Sequence, residues 1–247
     1  MSDATPTVVL VHGAFADASS WNGVIERLQA KGLQAIAPAN PLRGISADSA
    51  YISAVLEQIE GPVLVVGHSY GGAVITNAAT GKKNVVGLVY VAAQAPEEGE
   101  TLGAVEAGSK DSVLNSALVP RQYPTEDGGS ATEFYIDPPK ARDAFAGDLS
   151  DQQAALIAAT QRPIAEFAFS EASGPPAWKE RPSWAVVATG DRAVGTDVAR
   201  SMAARAGATI TEVEGSHVIM ISQPQAVADV ILEAMASVGS PMVGSVA

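Results

Sequence analysis

The 247-residue chain contains no cysteine, which excludes disulfides and thiolate metal sites and leaves Ser, Thr, Lys or a carboxylate for any covalent chemistry. Positive charge is also scarce. Fifteen Lys and Arg stand against 27 Asp and Glu, a net charge of −12, and the densest basic run is the pair Lys82-Lys83, which reads as a solvated helix end. A nucleic-acid partner is therefore not expected, because phosphate backbones are bound by clustered cations that displace counterions. Long apolar runs are missing, and the first seven residues lack a basic stretch leading into an apolar one. No membrane association and a cytoplasmic location are the resulting expectations. Histidine is limited to His12, His68 and His217, so a ring base has to be one of these. No cofactor and no metal are expected.

What is present is enough for a sizeable core: 47% of residues are hydrophobic and only 17% are charged. Short runs rich in Val, Ile and Ala at 7–12, 34–37, 63–68, 85–92, 184–189 and 209–213 read as buried parallel strands. Helical patterns lie between them, over 21–30, from Ser46 through Tyr51, Val55 and Ile59, and over 70–80. Ser222 with Gln225 has the spacing of a capping box ahead of a last helix at 226–235. Alternating strands and helices predict an α/β, doubly wound, mostly parallel sheet. The alternation stops from 95 to 182, where Pro, Gly and acidic residues accumulate around helical patterns at 141–145 and 152–159. This stretch is expected to be a helical insertion, with 1–94 and 183–247 forming the core. The tail includes Gly239-Ser240-Pro241, and its last few residues are expected to fray.

The segment Gly67-His68-Ser69-Tyr70-Gly71 places a G-x-S-x-G pattern between a strand and a helix. A serine on such a turn stands exposed while its neighbours crowd it, and the flanking glycines give the backbone room. Free amides at the helix start would face any oxyanion that forms. Ser69 is thus the candidate nucleophile. His68 belongs to the preceding strand, where adjacent side chains alternate faces, so its ring should point away from the Ser69 hydroxyl and serve packing. Upstream, His12-Gly13-Ala14-Phe15 ends the first strand in a small-residue turn. The amide of Tyr70 with that of Ala14 or Phe15 would form the oxyanion hole, and Asp17 would cap the helix that follows.

His217 follows the final strand, and Asp191 follows the one before it in Gly190-Asp191-Arg192. Ser69, Asp191 and His217 therefore occur in the order a nucleophile, an orienting acid and a base take on such a sheet. Glu97 and Glu98 are the fallback acids, and Asp197 reads as part of a helix start.

On these four motifs the chain resembles the α/β-hydrolase superfamily, in particular compact bacterial esterases and the plant hydroxynitrile lyase and methyl-salicylate esterase group. The resemblance implies an ester hydrolase acting on small or medium esters through an acyl-enzyme. It also implies that 95–182 is a cap, with Tyr123, Phe134, Tyr135, Phe145, Phe167, Phe169 and Trp178 as candidates for an apolar pocket. The lyases of that group have a lysine after the catalytic histidine and a threonine in the first turn. Here Val218 and Gly13 stand at those positions, which disfavours lyase chemistry. The same triad supports lactone opening and perhydrolysis, and some members of the superfamily are ligand-binding receptors; these readings stay open.

Overall fold

Unbroken Val and Leu runs become strands covered on both faces, as parallel strands between helical layers must be. The computed structural model describes residues 5–239. The chain begins β1 (Thr7–Val11), α1 (Asn22–Ala30), β2 (Ala35–Ile36), α2 (Ile45–Glu57), β3 (Val63–His68), α3 (Tyr70–Ala78) and β4 (Val85–Val91). Then come α4 (Leu102–Ala107), β5 (Leu118–Pro124), β6 (Ser130–Ile136), α5 (Ala141–Phe145), α6 (Asp151–Thr160), β7 (Ile164–Ala165) and α7 (Phe167–Ser170). The last stretch is β8 (Ser183–Ala188), α8 (Thr196–Arg205), β9 (Thr209–Val213), α9 (Ile219–Ser222) and α10 (Pro224–Gly239). Each strand read from the sequence is present, with its ends moved by no more than one residue.

Six strands form one sheet in the order β2-β1-β3-β4-β8-β9, and every neighbouring pair is parallel. The chain runs outward from β1 to β2, then crosses back to β3 and continues the other way. Right-handed crossovers accordingly put α1 on one face and α2, α3 and α8 on the other. Helix α1 packs on α10, and α2 on α3. Strands β1, β3 and β8 are wholly buried, whereas the edge strands β2 and β9 are partly exposed.

The insertion contains the two expected helices, α5 and α6, and also an antiparallel sheet, β5-β6-β7, that the sequence did not announce. Strands β5 and β6 are largely half-exposed and carry Arg121, Gln122 and Glu133 among the apolar residues, which dilutes the apolar signal, and β7 is only two residues long. The expected capping box is a correction: Ser222 ends α9, and α10 starts at Pro224, whose missing N–H is harmless in a first turn. Gln225 instead accepts from Arg27 (3.1 Å) and donates to Asp229 (2.8 Å). A capping box does exist at α6, between Ser150 and Gln153. The expectation about fraying beyond Gly239 falls on 240–247, outside the described residues. Among the described residues no helix is long and apolar enough to cross a membrane.

Candidate active site

Loops after β1, β3, β8 and β9 meet at the carboxyl edge of the sheet. Strands β1 and β3 flank the point where the strand order reverses, which is where open α/β sheets present a crevice. Strand β3 passes into α3 through Ser69, whose φ of +53° and ψ of −127° are rare for a residue with a side chain and cost on the order of 1–3 kcal/mol. Main-chain bonds hold this conformation. The Ser69 N–H donates to Val91 O (3.3 Å), and the Ser69 carbonyl accepts from Gly72 (2.8 Å) and Gln94 (3.3 Å). The flanking glycines are required by close approach: a Cβ on Gly67 would lie 2.6 Å from Gly71 O, and one on Gly71 would lie 2.4 Å from Val11 O.

His217 and Asp191 come from adjacent loops joined by main-chain bonds, Thr189 N–H to Val213 O (3.0 Å) and Gly190 N–H to Gly215 O (2.9 Å). His217 Nδ1 lies 2.8 Å from Asp191 Oδ2, and both residues are 1% exposed. The other carboxylate oxygen accepts from the Ala193 N–H at 2.8 Å, so the carboxylate is fixed at both ends. With Nδ1–H donating to Asp191, Nε2 carries the lone pair. That Nε2 is buried and has no hydrogen-bond partner among the described residues, while His217 and Ser69 line the same narrow cavity.

The other two histidines are structural in their contacts. His68 Nε2 lies 3.0 Å from the His217 carbonyl oxygen and its ring packs 4.6 Å from that of His217. Burial, aided by the His217 ring, keeps the His68 imidazole well below the usual histidine range, so it is neutral and Nε2–H donates. Its ring therefore buttresses His217 from behind. His12 accepts from the Asn40 N–H at Nε2 (2.9 Å), leaving Nδ1–H for Gly13 O (2.9 Å), and burial lowers its pKa.

Amides gather opposite the histidine. Tyr70 opens α3, where first-turn N–H groups have no carbonyl one turn back. A Cβ at Gly13 would sit 2.6 Å from Ser69 Cβ, so the β1 turn touches the serine. Of the two amides left open by the sequence, that of Phe15 donates to Arg162 O (3.0 Å), whereas the Ala14 N–H has no partner among the described residues. The Tyr70 hydroxyl turns away and donates to buried Asp48 Oδ2 (2.7 Å); burial, with Asp48 adjacent, pushes the phenol well above its usual pKa.

The cavity is completed by Gln94, Glu106, Leu114, Phe145, Ile164, Phe169 and Val194. Of the aromatic candidates, Phe145 and Phe169 line it. Phe134 packs behind Phe169 at 6.0 Å, Tyr123 and Tyr135 lie under Arg43 and Arg121, Phe167 is exposed, and Trp178 is buried with Nε1 donating to Pro96 O (3.1 Å). Phe15 and Phe145 also wall a larger apolar groove alongside, with Leu149, Leu156, Ile157 and Ile221. Glu97 pairs with Lys179 (2.6 Å) rather than with His217. Asp197 sits in the first turn of α8, and Asp17 caps the short turn before α1.

Sequence reasoning missed Glu106 and Gln94. Gln94 Nε2 donates to Glu106 Oε1 at 2.6 Å, and burial, with the Asp191 charge adding to it, pushes the Glu106 carboxyl up to about 7. In Leu102–Ala107 this glutamate looks like any helix-surface charge, so no local signal marks it. Among the described residues no His, Asp or Glu cluster could hold a metal.

With this geometry in place, the family follows from a single match. Residues 8–230 match the model of the alpha/beta hydrolase family, and the chain belongs to that family. Among solved structures it is similar to polyneuridine aldehyde esterase (TM-score 0.79, 20% identity, 94% of this chain and 99% of that one). It is also similar to a pyrethroid hydrolase from Sphingobium faniae JZ-2 (TM-score 0.76, 19% identity, 95% and 98%). A third similar structure is a variant of tomato methylketone synthase I complexed with beta-ketoheptanoate (TM-score 0.77, 20% identity, 95% and 99%). Among curated proteins none matches the chain in sequence.

Proposed function

We propose that this protein is a serine ester hydrolase that works through an acyl-enzyme, with Ser69 as nucleophile, His217 as base and Asp191 as the residue that orients His217. The observation that carries the reading is the 2.8 Å His217–Asp191 bond, which leaves a lone pair on Nε2 in the cavity that also holds the strained serine. As the Ser69 oxygen attacks the ester carbonyl, Nε2 takes its proton and returns it to the departing alcohol. The amides of Tyr70 and Ala14 hold the oxyanion, and the engagement of the Phe15 amide favours Ala14 as the second donor. Water, deprotonated by the same Nε2, then releases the acid.

Residues 95–182 act as the cap. They bring Leu114, Phe145, Ile164 and Phe169 over the nucleophile, which favours an ester with apolar parts. The esterase and hydrolase named among the similar structures are consistent with ester cleavage. Ser69→Ala should lower kcat on a p-nitrophenyl ester about a million-fold, and a fluorophosphonate probe should label Ser69 in the native protein but not in the variant. Native-level turnover by the variant would overturn the reading.

A further inference from the structure

The cavity over Ser69 contains more polarity than ester cleavage uses. Ser69 and His217 are taken up by the reaction, and the Tyr70 hydroxyl is turned onto Asp48. Two further polar side chains face the same space, Gln94 and Glu106, 1% and 6% exposed. They bond each other once, Gln94 Nε2 to Glu106 Oε1 at 2.6 Å. Glu106 Oε2 and Gln94 Oε1 make no hydrogen bond among the described residues, and neither is among the fully buried polar atoms, so both stay open to the cavity their residues line. Leu114, Phe145, Ile164 and Phe169 line the same cavity, so a ligand that fills it covers these two oxygens with apolar surface and must offer them hydrogen bonds of its own.

The pair is also fixed close to the reacting centre. The Gln94 N–H donates to the carbonyl of Ser69 itself (3.3 Å), so Gln94 is placed by the nucleophile's own main chain. Glu106 comes from α4, at the start of the insertion, and senses the charge of Asp191. We infer that Gln94 and Glu106 form a polar subsite that binds a hydroxyl group carried by the ester substrate, within a few atoms of its scissile carbonyl. The inference rests on the ester-hydrolase reading and names the class of ester.

A hydroxyl is the group that fits. Glu106 Oε1 accepts from Gln94, so in the neutral carboxyl the proton resides on Oε2, and Gln94 Oε1 remains as an acceptor. One donor beside one acceptor matches a group that is itself both. An ether or ketone would satisfy only Oε2–H, and an alkyl group neither. With its pKa pushed up to about 7 by burial, the carboxyl keeps its proton in about half of the molecules at pH 7 and in most of them below it.

The test uses two isosteric ester pairs, one for each arm of the substrate: methyl 3-hydroxybutanoate against methyl 3-methylbutanoate, and 2-hydroxyethyl acetate against propyl acetate. Binding is measured by calorimetry to Ser69→Ala protein, where nothing turns over, and kcat/KM is measured on the native enzyme. In at least one pair the hydroxylated ester should bind tenfold or more tighter. The preference should fall to within about twofold of unity in Glu106→Leu and in Gln94→Leu on the Ser69→Ala background, and should persist in Glu106→Gln, which retains a donor and an acceptor. No preference in either pair, or a Leu variant that weakens both members equally, overturns the subsite. A binding preference without turnover of any ester would overturn the hydrolase reading and leave the subsite standing.

Discussion

The two sides of the cavity are built differently. On the sheet side, Ser69, Asp191 and His217 stand on short loops joined by main-chain bonds such as Gly190 N–H to Gly215 O (2.9 Å) and Ser69 N–H to Val91 O (3.3 Å). On the insertion side, Glu106, Leu114, Phe145, Ile164 and Phe169 come from separate short elements. The insertion is joined to the core largely through side chains, including ion pairs Arg43–Glu133 (2.7 Å), Arg205–Glu100 (2.6 Å) and Arg192–Asp143. Main-chain geometry cannot be altered by substituting a side chain, so the sheet side can hold reacting atoms in fixed register. The insertion side can change its lining one residue at a time, which suits the selection of substrates.

The largest effect expected from this contrast is on the sheet side. In Asp191→Asn the oxygen should stay with the Ala193 N–H, turning the NH2 toward His217 Nδ1. The ring would then carry its proton on Nε2 and could not accept the serine proton. The kcat should fall about 10⁴-fold with the fold intact by circular dichroism. A loss below tenfold would mean that insertion residues, not the fixed loops, set the reactivity.

The same contrast explains what could be read in the chain. The strands were legible because helices cover both faces, leaving continuous apolar runs such as Val63–His68. The meeting of Ser69, Asp191 and His217 at one edge of the sheet was legible because each stands at or shortly after the carboxyl end of a strand. The β5-β6 hairpin was not: Pro120, Arg121 and Glu133 interrupt its apolar pattern on a half-exposed surface. The engagement of the Phe15 amide was also beyond reach, since Phe15 has a φ of +59° that its residue type does not announce, and that amide finds Arg162 O in the insertion. Glu106 was hidden for the same reason, because only tertiary packing turns its face of α4 inward.

Glu106 gives the next prediction, on stability. Its folded pKa of about 7 lies above the ordinary glutamate value of 4.5. Below pH 4.5 both states hold the proton and the group contributes nothing. Between 4.5 and 7 the folded state binds more protons than the unfolded one, so rising pH costs stability, and above 7 the full cost is present. Glu106→Gln removes the ionisation. Its unfolding free energy minus that of the native protein should therefore rise by on the order of 3 kcal/mol from pH 4.5 to pH 8, read from urea titrations. A flat difference would show that the carboxyl titrates alike in both states and that the insertion side is as wet as the surface.

The smallest effect is expected at the seam. Arg205 of α8 grips Glu100 with both nitrogens (2.6 and 2.7 Å) and also donates to Ala95 O (3.1 Å), which fastens the start of the insertion to the core. The Arg205 hydrogen bonds hold the Glu100 carboxyl below its usual range. Both side chains are about a third exposed (38% and 30%), so solvent screens the pair, and a bidentate contact of this kind contributes no more than about 1 kcal/mol. A double-mutant cycle with Arg205→Gln and Glu100→Gln should give a coupling of that size, falling as salt is raised. Coupling above about 2 kcal/mol would make the seam as firm as the loops that bear Asp191 and His217. The division between a fixed reacting side and an adaptable selecting side would then no longer hold.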